Sequence, residues 1–102
     1  MNDTSSIPAA RVNKSSRKYV IVNQRGLHAR ASAKFVQLVD SFDAKVTVEK
    51  DGVSVGGTSI MGLMMLAASP GCSIQVTAEG ADANELLDAL EELIANKFGE
   101  EI

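Results

Sequence analysis

At 102 residues the chain has room for one domain with one modest core. Aromatic residues make up only 4% and Trp is absent, so an aliphatic core is expected and stacking platforms for single-stranded nucleic acid are disfavoured. A net charge of −3 argues against a duplex-binding surface, and a single cysteine rules out an intrachain disulfide and fits a reducing compartment.

Residues 1–16 are polar and rich in Ser, Asn and Thr, with no continuous apolar run. They match neither a secretory signal nor a membrane anchor; disorder is the expectation for this leader, and cytoplasm is the expected location. One domain then spans 17–102.

Tyr19-Val20-Ile21-Val22 predicts a first strand, followed by a loop broken by Gly26. A helix is predicted from Ala29 to about Val39, with Ala33, Phe35, Val36 and Val39 spaced for one buried face. Ala44, Val46 and Val48 alternate with Lys45, Thr47 and Glu49 in a half-exposed strand. Asp51-Gly52 signals a two-residue hairpin returning through Val53-Ser54-Val55. Ser59 suits the cap of a short apolar helix from Ile60 to about Ala67. Cys72, Ile74, Val76 and Ala78 alternate with polar residues in a fourth strand, with Cys72 expected as a small buried core residue. Asp82 to about Lys97 reads as an amphipathic helix, with Leu86, Leu90, Leu93 and Ile94 inward. The order βαββαβα points to an α+β fold: an antiparallel sheet with helices packed on one face.

His28, in Gly26-Leu27-His28-Ala29-Arg30, is the only histidine and stands where a helix begins. Unpaired N–H groups and the positive end of the helix dipole make that position favourable for an anion. The same potential disfavours the imidazolium and keeps a lone pair available for nucleophilic attack on phosphorus. The backbone N–H groups of Ala29 and Arg30 then suit the resulting phosphate, and the Arg30 guanidinium suits its oxygens in a bidentate geometry. The alternative is that His28 merely caps the helix and Arg30 is an ordinary surface residue. No carboxylate stands near His28 in sequence to orient it, and Glu100-Glu101 reads as solvated tail charge. One His and one Cys offer no zinc site, and no Ser lies in a G-x-S-x-G elbow. No metal or cofactor is implied.

The short helix carries three of the chain's four methionines, Met61, Met64 and Met65. A helix this short cannot bury every side on a small sheet; Leu63 and Leu66 suit the core, whereas Ile60, Met61 and Met64 suit an exposed docking patch. Ser59 is a helix cap or, if phosphorylated, places about two negative charges beside that patch.

Gly26-Leu27-His28-Ala29-Arg30 followed by Ser59-Ile60-Met61-Gly62 resembles the bacterial HPr phosphocarrier family of the phosphoenolpyruvate-dependent phosphotransferase system, from about Lys18 to Phe98. The resemblance implies an open-faced β-sandwich of four antiparallel strands with three helices on one face. It implies a carrier, not an enzyme: His28 accepts phosphate on Nδ1 from phosphorylated Enzyme I and passes it to an IIA-type protein. Arg30 matches the family's active-site arginine, and Ser59 the serine modified by HPr kinase/phosphorylase. Leu27, Ile60, Met61 and Met64 match its apolar docking positions. A monomer that binds neither nucleic acid nor membrane is expected. Ala31 departs from the proline usual after that arginine, restoring an N–H in the first helical turn. Two other readings stand beside the carrier: a regulatory adaptor whose target binding follows its phosphorylation state, and a ferredoxin-like binding domain in which His28 is incidental.

Overall fold

Strand β1 (Asn13–Val20) comes first among residues 13–102, which the computed structural model describes. It begins earlier than predicted, because its first residues carry polar side chains yet pair fully with the neighbouring strand, Asn13 opposite Gly80 and Ser16 opposite Thr77. The expectation of a disordered leader is therefore corrected for residues 13–16, while residues 1–12 lie outside the described residues. At the other end Ile21 leaves the regular ladder but remains fully buried, tied by Ile21 N–H to Cys72 O at 2.9 Å and Gly71 N–H to Ile21 O at 2.9 Å.

Helix α1 (Ala29–Asp40) follows, then β2 (Lys45–Lys50), β3 (Val53–Gly56), α2 (Ile60–Met65), β4 (Ser73–Gly80) and α3 (Ala83–Ala95). The strands form one antiparallel sheet in the order β1-β4-β2-β3. Its alternation is strict: Val46, Val48, Ile74, Val76 and Ala78 are buried, while Lys45, Thr47, Glu49, Ser73 and Gln75 face water. Helices α1, α2 and α3 cover the buried face, which gives the open-faced sandwich anticipated above.

Phe35 and Val39 of α1 and Leu86, Leu87, Leu90 and Ile94 of α3 fill the layer between helices and sheet. Leu93 is only half-buried, and Leu87, which the pattern did not place inward, is fully buried beside Leu86. Most of the core is aliphatic, but its two largest fully buried side chains are Phe35 and Phe98. Tyr19 is buried as well and donates its hydroxyl to Leu87 O at 2.7 Å, fastening β1 to α3. Among the described residues, no helix is long and apolar enough to cross a membrane.

Past α3 the chain reverses abruptly. Lys97, Phe98 and Gly99 all have positive φ, at 58°, 55° and 81°. Three consecutive left-handed residues turn the segment back toward the loop before α1, where Gln24 N–H donates to Ile102 O at 3.0 Å. This return decides what surrounds His28.

Candidate functional site

The loop carrying His28 is shaped by Gly26. Its φ of +65° suits glycine, and a Cβ there would lie 2.2 Å from Ala68 O, so no other residue fits without backbone movement. The close approach lets Leu27 N–H donate to Ala68 O at 2.9 Å, tying the loop to the residues just past α2. His28 is then the N-cap of α1, in extended conformation. Its Nδ1 accepts from Arg30 N–H at 3.3 Å, and its carbonyl accepts from Ser32 N–H at 2.9 Å. No acidic residue occupies the first turn of α1, so nothing on the helix itself opposes an anion there. His28 is a cap, and its Nδ1 faces the donor end of the helix. The two sequence-based readings describe one geometry.

The other side of the ring faces a residue that local sequence spacing does not reveal. Nε2 of His28 meets Oε2 of Glu100, a residue expected to be solvated tail charge. The Glu100 side chain is only 13% exposed, and its second oxygen accepts from Asn23 Nδ2 at 3.0 Å. Burial pushes this carboxyl up, but hydrogen bonds from Asn23 and His28, helped by the charges of His28 and Arg25, outweigh it and hold Glu100 below the ordinary carboxylate range. Asn23 is itself fully buried, and its Nδ2 also donates to Gly26 O at 2.9 Å. No local motif marks Asn23 or Glu100; the only hint was a glycine, Gly99, immediately before the acid.

Carboxylate and N–H define the proton positions on the ring. A neutral imidazole beside an acceptor at one nitrogen and a donor at the other carries its proton on Nε2 and its lone pair on Nδ1.

Arg30, the second residue of α1, lies exposed, and among the described residues its guanidinium is engaged in no ion pair. Ala29 is exposed beside it, whereas Ala31 is fully buried in the core. Leu27 does not belong to a docking surface: it is 4% exposed and packs into the core, a correction to its assignment above. Its side chain faces inward because its N–H must reach Ala68 O. The short helix behaves largely as predicted, with Leu63 and Leu66 buried and Ile60, Met61 and Met64 exposed. Met65, at 77%, is more exposed than any of the three and was not singled out. Ser59 caps α2, its Oγ accepting from Gly62 N–H at 2.9 Å, and remains exposed to solvent.

Cys72 is half-buried and not a core residue; it precedes β4 and shares a contact with Ser69 Oγ at 3.4 Å, which lowers its thiol from the ordinary range. A groove of about 510 Å³ between β1 and α3 is lined by Arg17, Tyr19, Val20 and Ile94 and does not include His28. The His28 side chain, 17% exposed, reaches the surface beside the exposed Ala29 and Arg30, an arrangement suited to meeting another protein. Among the described residues, no cluster of three His, Cys, Asp or Glu side chains could hold a metal ion.

The fold and this imidazole define a class, the small proteins that carry a phosphoryl group on histidine. A family model described as the phosphorylation site of the HPr component of the phosphotransferase system matches residues 15–96. The chain belongs to the HPr phosphocarrier family and is a phosphoryl carrier, acted on by its partners and not itself an enzyme. It is 49% identical over 84 residues to the phosphocarrier protein HPr of Cupriavidus necator, covering 82% of this chain and 94% of that one. To the HPr of Neisseria meningitidis serogroup A it is 51% identical over 80 residues, covering 78% and 90%. A crystal structure of HPr from Thermoanaerobacter tengcongensis superposes with a TM-score of 0.82 at 44% identity, covering 86% of this chain and 99% of that one.

Proposed function

We propose that His28 is the phosphoryl acceptor, taking the group on Nδ1 from phosphorylated Enzyme I and passing it to an IIA-type protein. The observation that carries this reading is Nδ1 of His28 held against Arg30 N–H at the N-terminus of α1. When Nδ1 attacks phosphorus, that N–H turns from the ring nitrogen to a phosphate oxygen, joined by the Ala29 N–H and the guanidinium of Arg30. The Arg30 side chain is free to do so because no carboxylate among the described residues holds it.

Partners dock on the exposed apolar face of α2, on Ile60, Met61, Met64 and Met65, whose flexible side chains suit more than one protein. The Leu27–Ala68 hydrogen bond supports this by fastening the His28 loop to the end of that helix. HPr kinase/phosphorylase modifies Ser59. Its exposed hydroxyl accepts from Gly62 N–H, and a phosphate there adds charge beside the docking face while leaving the cap an acceptor. The adaptor reading draws on this same face and describes a second use of one surface. The carrier works as a cytoplasmic monomer.

Incubation with phosphoenolpyruvate and Enzyme I tests the proposal. An acid-labile phosphate is expected on the wild type and absent from His28→Ala; an unlabelled wild type overturns the carrier role. Incubation with HPr kinase and a nucleotide donor is expected to give an acid-stable phosphate lost in Ser59→Ala. Equal labelling of that variant removes Ser59 as the kinase site.

A further inference from the structure

Glu100 is brought to His28 at a conformational cost. Lys97 and Phe98 both adopt the left-handed region that side chains disfavour. The turn is held by the complete burial of Phe98, by Lys34 Nζ donating to Phe98 O at 2.6 Å, and by Gln24 N–H donating to Ile102 O at 3.0 Å. These anchors stand on both sides of Glu100, and the buried Asn23 amide occupies one of its oxygens. The other oxygen is left with Nε2 of His28 as its partner.

We propose that Glu100 is a positioning residue for phosphoryl transfer, which sets the reactive tautomer of His28 and stabilises the phosphorylated ring; this rests on His28 being the acceptor. Before transfer the carboxylate holds the proton on Nε2 and leaves the lone pair on Nδ1. In transfer, a bond forms from Nδ1 to phosphorus, and the bond from phosphorus to the donor breaks, its electron pair departing with the donor. No proton leaves His28, so the ring, neutral before the step, becomes formally cationic once both nitrogens are substituted. The hydrogen bond from the neutral ring's Nε2–H to the Glu100 carboxylate thereby becomes an ion pair. An interaction that strengthens on phosphorylation shifts the exchange equilibrium toward the phosphorylated carrier. Asn23 serves the same end through Glu100, by keeping the carboxylate turned toward the ring.

Two variants separate orientation from charge. Glu100→Gln retains an acceptor for Nε2–H but has no charge, and Glu100→Ala has neither. Nitrogen-15 shifts of the unphosphorylated His28 ring are expected to report a dominant Nε2–H tautomer in the wild type and Glu100→Gln, and mixed tautomers in Glu100→Ala. In phosphoryl exchange with Enzyme I, the equilibrium constant for phosphorylation is expected to fall about fivefold in both variants, the loss of one charge-assisted hydrogen bond. Wild-type tautomer and equilibrium in Glu100→Ala would overturn the role of Glu100 while leaving the carrier reading intact. An unlabelled wild type overturns the carrier reading and this role with it, whatever the tautomer.

Discussion

Single residues decide whether His28 is presented at all. Gly26 has a left-handed φ and no room for a side chain, since a Cβ would stand 2.2 Å from Ala68 O. Gly26→Ala is expected to cost more than about 2 kcal/mol. An unchanged urea midpoint would count against the tight approach. Ala31 is milder. It lies in the first turn of α1, where an N–H has no intrahelical partner, so Ala31→Pro is expected to change stability by less than about 1 kcal/mol. If the Ala31 N–H contributes to the phosphate site, labelling by Enzyme I slows in this variant while the melting temperature holds. Glu100 makes the site pH-dependent. Its carboxyl is held below the ordinary range when folded, so its bonds to His28 and Asn23 are fully present above the ordinary carboxylate value. They are lost as the pH falls through the lower folded value. Amide protection of residues 99–102, taken relative to the intrinsic exchange rate at each pH, is expected to fall in that window, and Glu100→Gln to flatten the dependence.

At the scale of elements, two short pieces carry more than their length suggests. Helix α2 has six residues, too few to be stable alone, and depends on its cap and on Leu63 beneath it. Ser59→Ala, which removes the acceptor for Gly62 N–H, is expected to lower stability by about 1 kcal/mol in chemical denaturation. The turn at Lys97–Gly99 is held in its left-handed shape largely by Phe98, whose ring is entirely buried. Phe98→Ala is expected to cost about 3–5 kcal/mol and to release the segment carrying Glu100. The His28 ring signals of the folded protein would then resemble those of Glu100→Ala. Distinct ring signals in the two variants would show that Glu100 reaches His28 without this anchor.

For the molecule as a whole, the sheet is where pattern reading reached furthest and where its boundary failed. The alternation of Val46, Val48, Ile74, Val76 and Ala78 was plain because one face of a sheet is dry and the other wet. The first half of β1 was not, because Lys14, Ser15 and Ser16 have the composition of a loop and are strand only through pairing with β4. A chain beginning at Arg17 is therefore expected to be about 1–3 kcal/mol less stable than one beginning at Asn13, by loss of four ladder positions. Equal midpoints in urea would argue that the edge pairing contributes nothing.

The same division runs through the site. His28 as a helix cap, Arg30 beside it, Ser59 capping a second helix and the methionines exposed beyond it were all legible, because each depends on neighbours a few residues away. Leu27 was misassigned because inward or outward orientation in a loop is set by a distant acceptor, Ala68 O. Glu100 was missed for the stronger reason: it meets His28 across 72 positions of sequence. An acid near the end of an acidic stretch reads as solvated charge until the backbone is known to reverse. The sequence alone determined the elements, the core periodicity and the candidate acceptor, since these follow from local spacing and backbone chemistry. Only the tertiary structure decided which nitrogen of His28 is left free, because that depends on a left-handed turn held by one buried phenylalanine.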